Sequence, residues 1–218
     1  MSLTLVIGNK NYSSWSLRAW LAMKQAGAAF NETQVMLNRP DSTEKILRYS
    51  PSGRVPCLVV DGELTIFDSL AICEYINERL VEEGKASLWP QDAKFRARAR
   101  AVTAEMHSGF AALRTHLPMD IRSRRADKGQ TALERGDVAA DVARIQSVWN
   151  ECLEQGGPML FGGFSIADAF YAPVVTRFVT YGVKLSPLLA AYSDNVLALP
   201  AMQQWIAAAK AETETIET

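Results

Sequence analysis

The chain has 218 residues, 48% hydrophobic and 22% charged, with a net charge of −1. That length allows one large domain or two small ones around a real core. The charge balance excludes bulk electrostatic recruitment of nucleic acid or an anionic membrane. The basic cluster RSRR at 122–125 is too short to change this and reads as a solvated helix end or loop. The three cysteines, Cys57, Cys73 and Cys152, are odd in number and none has C-x-x-C spacing. A disulfide framework or a metal site is therefore not expected, and a reducing cytoplasmic setting fits best. The opening MSLTLVIGNK has no basic region and too short an apolar run for a signal peptide. No apolar run approaches the roughly 20 residues of a membrane-spanning helix.

In chain order, LTLVIG reads as a buried strand ended by Gly8 and Asn9. Residues 14–27 read as a helix with Gly27 as its stop. Residues 30–37 form a second strand and 41–49 a short helix. Residues 57–67 read as a hairpin around Asp61-Gly62, and 68–80 as a helix. The order β-α-β-α-β-β-α predicts a small α/β sheet with one parallel crossover and a terminal antiparallel hairpin. The polar stretch 82–92, with Gly84 and Pro90, reads as a linker. Beyond it the pattern is all helical, over 91–117, 137–155, 164–182 and 199–214. The expected division is 1–82, a linker at 83–91, and 92–218. The apolar segment 164–182 is expected at the centre of a bundle.

Three segments are candidates for chemistry. Ser13, Ser14 and Ser16 crowd the start of the first helix. A serine there caps the helix by accepting an orphan N–H. It is also placed where the helix terminus favours an anion, and its hydroxyl would lower the pKa of a bound thiol. In SGRVPCL, Pro56 opens a strand as an ordinary trans proline, or follows a cis bond that turns the Val55 backbone outward to pair with a peptide. In FDSLAI, Asp68 and Ser69 open the third helix, as a routine cap or as a pair holding an ammonium and a carboxylate.

Together these segments resemble the cytosolic glutathione transferases over essentially the whole chain. FSIADAFYAP adds a further match, an S-x-x-D box of Ser165 and Asp168 that caps the buried helix and supports folding. The resemblance implies an N-terminal thioredoxin-like domain, an all-α helical-bundle C-terminal domain, a homodimer, and glutathione as co-substrate with no metal. SSWSLRAWLAMK is similar to the zeta-class segment whose first serine is catalytic. That implies Ser13 as the thiolate partner and Ser14 as the helix cap, with Ser14 the alternative partner. Arg18 matches a recurring arginine, and Trp15 replaces the zeta cysteine among the glutathione contacts. Val55, before Pro56, would pair with the cysteinyl backbone, and Asp68 with Ser69 would hold the γ-glutamyl end. Arg54, or less directly Arg39, would reach the glycyl carboxylate. Asp68 stands where relatives carry Glu or Gln, which shortens its reach by one carbon.

The electrophile is expected between the domains. Met106, Phe110 and Leu113 share i, i+4, i+7 spacing on one helix face, as helix core or as a substrate wall. Arg114 beside them would hold an acidic substrate. His107 and His116 read as polar surface or capping residues, and Cys57 and Cys73 as small buried hydrophobes. The implied reaction is thiolate attack on a small electrophile. A glutathione-dependent isomerase of the maleylacetoacetate type, a peroxidase, and a non-catalytic binding protein on the same scaffold are the alternatives.

Overall fold

A computed structural model describes residues 2–154 and 156–216. The expected end of the 137–155 helix at Gln155, and the extreme termini, lie outside these residues. The first half holds β1 (Leu3–Ile7), α1 (Ser14–Gln25), β2 (Asn31–Gln34), α2 (Ser42–Leu47), β3 (Cys57–Val60), β4 (Leu64–Ile66) and α3 (Ser69–Glu82). The strands form one sheet in the order β2-β1-β3-β4. The β1–β2 pair is parallel, with Thr4 opposite Asn31. The β1–β3 and β3–β4 pairs are antiparallel, with Leu5 opposite Leu58 and Val59 opposite Thr65. Strand alternation sends Leu3, Leu5 and Ile7 toward the core shared with α1 and α3. Val6 and Cys57 face the other way, against Ile46 of α2. This is the thioredoxin-like arrangement.

The second half is helical: α4 (Ala93–Ser108), α5 (Ala111–His116), α6 (Ala126–Leu133), α7 (Gly136–Leu153), α8 (Ile166–Tyr181), α9 (Pro187–Ala198) and α10 (Pro200–Ala211). Helix α8 is buried along nearly its whole length. It packs on α4, α6, α9 and, across the halves, on α1. Trp149 of α7 sits in a nest of Tyr171, Phe178 and Tyr192, with ring centroids 4.9–5.9 Å apart. Among the described residues no helix is long and apolar enough to cross a membrane.

The structure corrects the sequence reading in three places. The segment 91–117 is two helices, because the chain breaks at Gly109 and Phe110. A side chain at Gly109 would place its Cβ 2.8 Å from the Glu105 carbonyl oxygen. Phe110 then takes a left-handed conformation, φ 58°. Helices α6 and α9 fall in stretches to which the sequence reading assigns no element. Ser186 and Pro187, a cap followed by a proline in the first turn, are the overlooked signal for α9.

Asp168 anchors the start of α8. Its carboxylate accepts the Leu160 N–H at 3.1 Å, the Ser165 N–H at 2.8 Å and the Ser165 hydroxyl at 2.9 Å. Burial pushes its carboxyl up to about 6, with these hydrogen bonds acting in the opposite sense. An unfolded carboxyl titrates near 3.9. The folded chain therefore keeps a proton there that the unfolded chain has released. The stability this confers is complete below about pH 4 and lost as pH rises through about 6. Urea denaturation across that window should show wild type losing about 3 kcal/mol from this group. Asp168→Asn, which cannot ionise, should lack that slope.

Candidate functional site

Residues 8–13 join β1 to α1 and are pinned from several directions. The Asn9 side-chain oxygen accepts the Leu37 N–H at 2.8 Å. The Asn11 amide donates to Asp120 at 2.8 Å, and its oxygen accepts the Arg122 N–H at 2.8 Å. The Glu212 carboxylate, just beyond α10, accepts the Lys10 and Asn11 N–H groups at 2.6 and 3.0 Å. Arg122 donates to the carbonyls of Glu212 and Glu214 and to the Tyr12 hydroxyl. The RSRR cluster lies in a loop, as expected, with Arg124 exposed, but its other arginines are not simply solvated. Arg122 ties the loop to the C-terminal segment, and Arg125 pairs with the buried Asp120 at 2.9 Å.

The capping role expected of Ser14 falls to Ser13. Helix α1 begins at Ser14, so Ser13 is the cap, and its oxygen accepts the Ser16 N–H at 3.4 Å. The Ser13 hydroxyl donates to Ser16 Oγ at 2.7 Å, and Ser16 Oγ accepts the Gly8 N–H at 3.1 Å. Ser14 caps nothing. Its hydroxyl oxygen accepts a hydrogen bond at 3.2 Å from Arg177 of α8.

A cleft of about 760 Å³ opens at this helix start. Ser13, Ser14 and Trp15 form one wall, Arg54, Val55 and Pro56 a second, and Asp68 with Ser69 a third. The Val55–Pro56 bond is cis. The Ser69 side chain is fully buried and its hydroxyl has no partner. Arg39 is exposed and does not line the cleft, and its backbone N–H bonds Ser42. Met106, Phe110 and Leu113 are buried in the helical core and also lie off the cleft wall. The break at Gly109 removes the continuous helix on which their shared face was reckoned. Arg114 folds back to donate to the Met106, His107 and Gly109 carbonyls, which the end of α4 leaves without helical partners.

His107, expected as a polar surface or capping residue, instead faces the cleft's third wall. It is half-buried, 5.2 Å from Trp15 in an edge contact, with Nε2 2.9 Å from Asp68 Oδ2. Burial holds its pKa below the ordinary value. Asp68 acts in the opposite sense, and Arg18 and Arg114 reinforce the depression. At neutral pH His107 is therefore neutral and donates to Asp68. Asp68 Oδ1 meanwhile accepts the Leu70 and Ala71 N–H groups as the cap of α3. One carboxylate thus starts a helix of the first half and binds a side chain of the second.

Behind Trp15 lies a group of arginines. Arg18 is fully buried, 4.3 Å from the Trp15 ring and 4.8 Å from Phe170, and none of its side-chain nitrogens has a hydrogen-bond partner. Arg114 lies 4.9 Å from Trp15. Burial and the neighbouring Arg114 lower Arg177 to about 10. The one signal that could have revealed Arg177 is its charge: it is the only charged residue between Asp168 and the end of an otherwise apolar helix. Burial pushes the Cys57 and Cys73 thiols up, which suits small buried hydrophobes rather than nucleophiles.

A family model described as the glutathione S-transferase N-terminal domain matches residues 12–79, and one for the C-terminal domain matches 96–208. The chain belongs to the glutathione S-transferase family. It is 34% identical over 174 residues to a probable maleylacetoacetate isomerase of Caenorhabditis elegans, covering 80% of this chain and 78% of that one. It is 27% identical over 207 residues to glutathione S-transferase Z2 of Arabidopsis thaliana, covering 89% and 88%. Its fold matches a crystal structure of a glutathione transferase homolog from Burkholderia gl BGR1 with bound glutathione. The TM-score is 0.73 at 24% identity, over 97% of this chain and 100% of that one.

Asp68→Ala should remove both the α3 cap and the His107 contact. Urea unfolding is expected to show a loss of about 1–3 kcal/mol. His107→Ala should lose less, because the cap survives.

Proposed function

We propose that this member of the family is a glutathione transferase that ionises the glutathione thiol and directs it at a small electrophile. The observation that carries this reading is the meeting of three segments in one cleft: the serine start of α1, the Val55 backbone, and the Asp68–Ser69 start of α3. The cleft volume suits a tripeptide. Each helix start favours a negative group: α1 the thiolate and α3 the γ-glutamyl carboxylate. The partnerless Ser69 hydroxyl is a donor for that carboxylate, and Asp68 is the counter-charge for the adjacent ammonium. Val55 offers backbone hydrogen bonds to the cysteinyl unit, and Arg54 a cation for the glycyl end.

In the reaction the thiol proton leaves to solvent and the thiolate stays on sulfur, held by a serine hydroxyl and the α1 terminus. The sulfur attacks an electrophilic carbon, an S–C bond forms, and the electrophile's leaving group departs with its electron pair. No protein group becomes covalently bound. Further parts of the reading are a cytoplasmic homodimer and an electrophile seated beside Trp15, at the mouth between the halves.

A second reading, isomerisation, is favoured by the C. elegans relative. There the thiolate adds to a double bond, the bond rotates, and glutathione is released unchanged. Trp15, in place of the zeta-class cysteine, weighs against it.

The two readings differ in whether glutathione is consumed. With an activated chloronitrobenzene, the transferase reading expects one glutathione consumed and one chloride released per turnover. With maleylacetoacetate, isomerisation expects product without glutathione loss. Absence of glutathione binding in calorimetry would overturn both. Asp68→Asn, which keeps the cap oxygen and loses the charge, should raise the KM for glutathione about tenfold with kcat less affected.

A further inference from the structure

Arg177 is an ionised group placed where water does not reach. It sits on the central helix of the second half, 4% exposed. Its Nε donates to the Leu117 carbonyl at 2.9 Å and its Nη2 to Ser14 Oγ at 3.2 Å, while Nη1 has no partner. Among the described residues no carboxylate forms an ion pair with it. The groups that face it electrostatically are Arg114 of α5, Tyr181 of its own helix and, on α1, Arg18. A cation buried this way costs several kcal/mol unless something nearby uses the charge.

The hydroxyl geometry indicates what uses it. A serine hydroxyl has one hydrogen to give and lone pairs to receive. The Ser13 hydrogen goes to Ser16 Oγ, and a Ser13 lone pair receives the Ser16 N–H. Ser13 is thus committed to the helix cap. Ser14 receives its hydrogen bond from a guanidinium, so its own hydrogen points elsewhere, and Ser14 lines the cleft. A hydroxyl that accepts from a cation is a stronger donor on its other side.

We propose that Ser14, not Ser13, gives its hydroxyl hydrogen to the glutathione sulfur, and that Arg177 is the positioning residue that aims and polarises it from the helical domain. This rests on the transferase reading. The relay runs Arg177 N–H to Ser14 O, then Ser14 O–H to the thiolate. The thiol proton itself leaves to solvent, and neither residue changes protonation state. Arg177 acts only through Ser14, so the second half of the chain helps set the acidity of a thiol bound to the first.

The test is a double-mutant cycle read on the bound thiol. Thiolate absorbance near 240 nm is titrated with saturating glutathione for wild type, Ser13→Ala, Ser14→Ala, Arg177→Met, Arg177→Lys and the Ser14→Ala/Arg177→Met pair. S-methylglutathione, which has no ionisable thiol, reports site integrity for each protein. Ser14→Ala and Arg177→Met should each cut the thiolate fraction at a fixed pH below the titration midpoint at least tenfold, about one charge-assisted hydrogen bond. The pair should do no more than either alone. Arg177→Lys should recover part of the loss, Ser13→Ala should change the fraction less than Ser14→Ala, and S-methylglutathione binding should persist. Additive losses in the pair, or a loss confined to Ser13→Ala, would overturn the assignment. An Arg177→Lys protein that binds S-methylglutathione and ionises the thiol no better than the Met variant would also overturn it. A wild type that binds glutathione without raising its thiolate fraction would instead overturn the transferase reading beneath it.

Discussion

Helix α1 is enclosed on all sides, and the rest of the molecule is arranged around that fact. Every residue from Leu17 to Met23 is buried. Helices α3, α8 and α10 pack on α1, and Leu3, Leu5 and Ile7 of β1 share its core cluster. Trp20 meets Trp205 edge-on at 5.1 Å, and Lys10 reaches over both rings. One apolar cluster therefore runs from Leu3 to Ala209 without a seam between the halves. Buried cores are close-packed and do not slide freely. The start of α1 is thus fixed against α8 as firmly as against its own sheet, which is what lets a side chain of α8 meet the hydroxyl of Ser14.

That enclosure also sets the electrostatics. Arg18, Arg114 and Arg177 gather near a helix terminus that is itself positive. Burial, and then repulsion from neighbouring arginines, depress Arg18 and Arg177 below the ordinary arginine value. Aromatic faces replace part of the lost water, since Arg18 lies over both Trp15 and Phe170. His107 stays neutral in the same surroundings and donates to Asp68 rather than adding another charge. Asp68 acts against the charge of Arg18, and Asp141 against that of Arg114.

The fold was largely legible because its signals are local. The hairpin at Asp61-Gly62, the apolar strand LTLVI and the Ser165–Asp168 box each announce themselves within a few residues. The cleft was legible for a different reason: the serine, Val-Pro and Asp-Ser segments form a pattern that resembles a known family. The features that escaped are those made by contacts between distant residues. Ser13 and Ser14 are indistinguishable as neighbours in sequence, and only the helix register and the arrival of Arg177, 163 residues away, give them different roles. His107 looks like surface until Asp68 and Trp15 close on it. The substrate wall drawn through Met106, Phe110 and Leu113 assumed an unbroken helix, and one glycine against the Glu105 carbonyl ended it.

The Glu212 contact has a consequence for the order of assembly. The amides of Lys10 and Asn11 are closed by a carboxylate about 200 positions later in the chain. A ribosome delivers the sheet well before this carboxylate. The strands and α1 can form while the helices of the second half are still being made, but the turn leading into Ser13 gets this fastening only after α10 has been delivered. One wall of the cleft is therefore synthesised early and secured late.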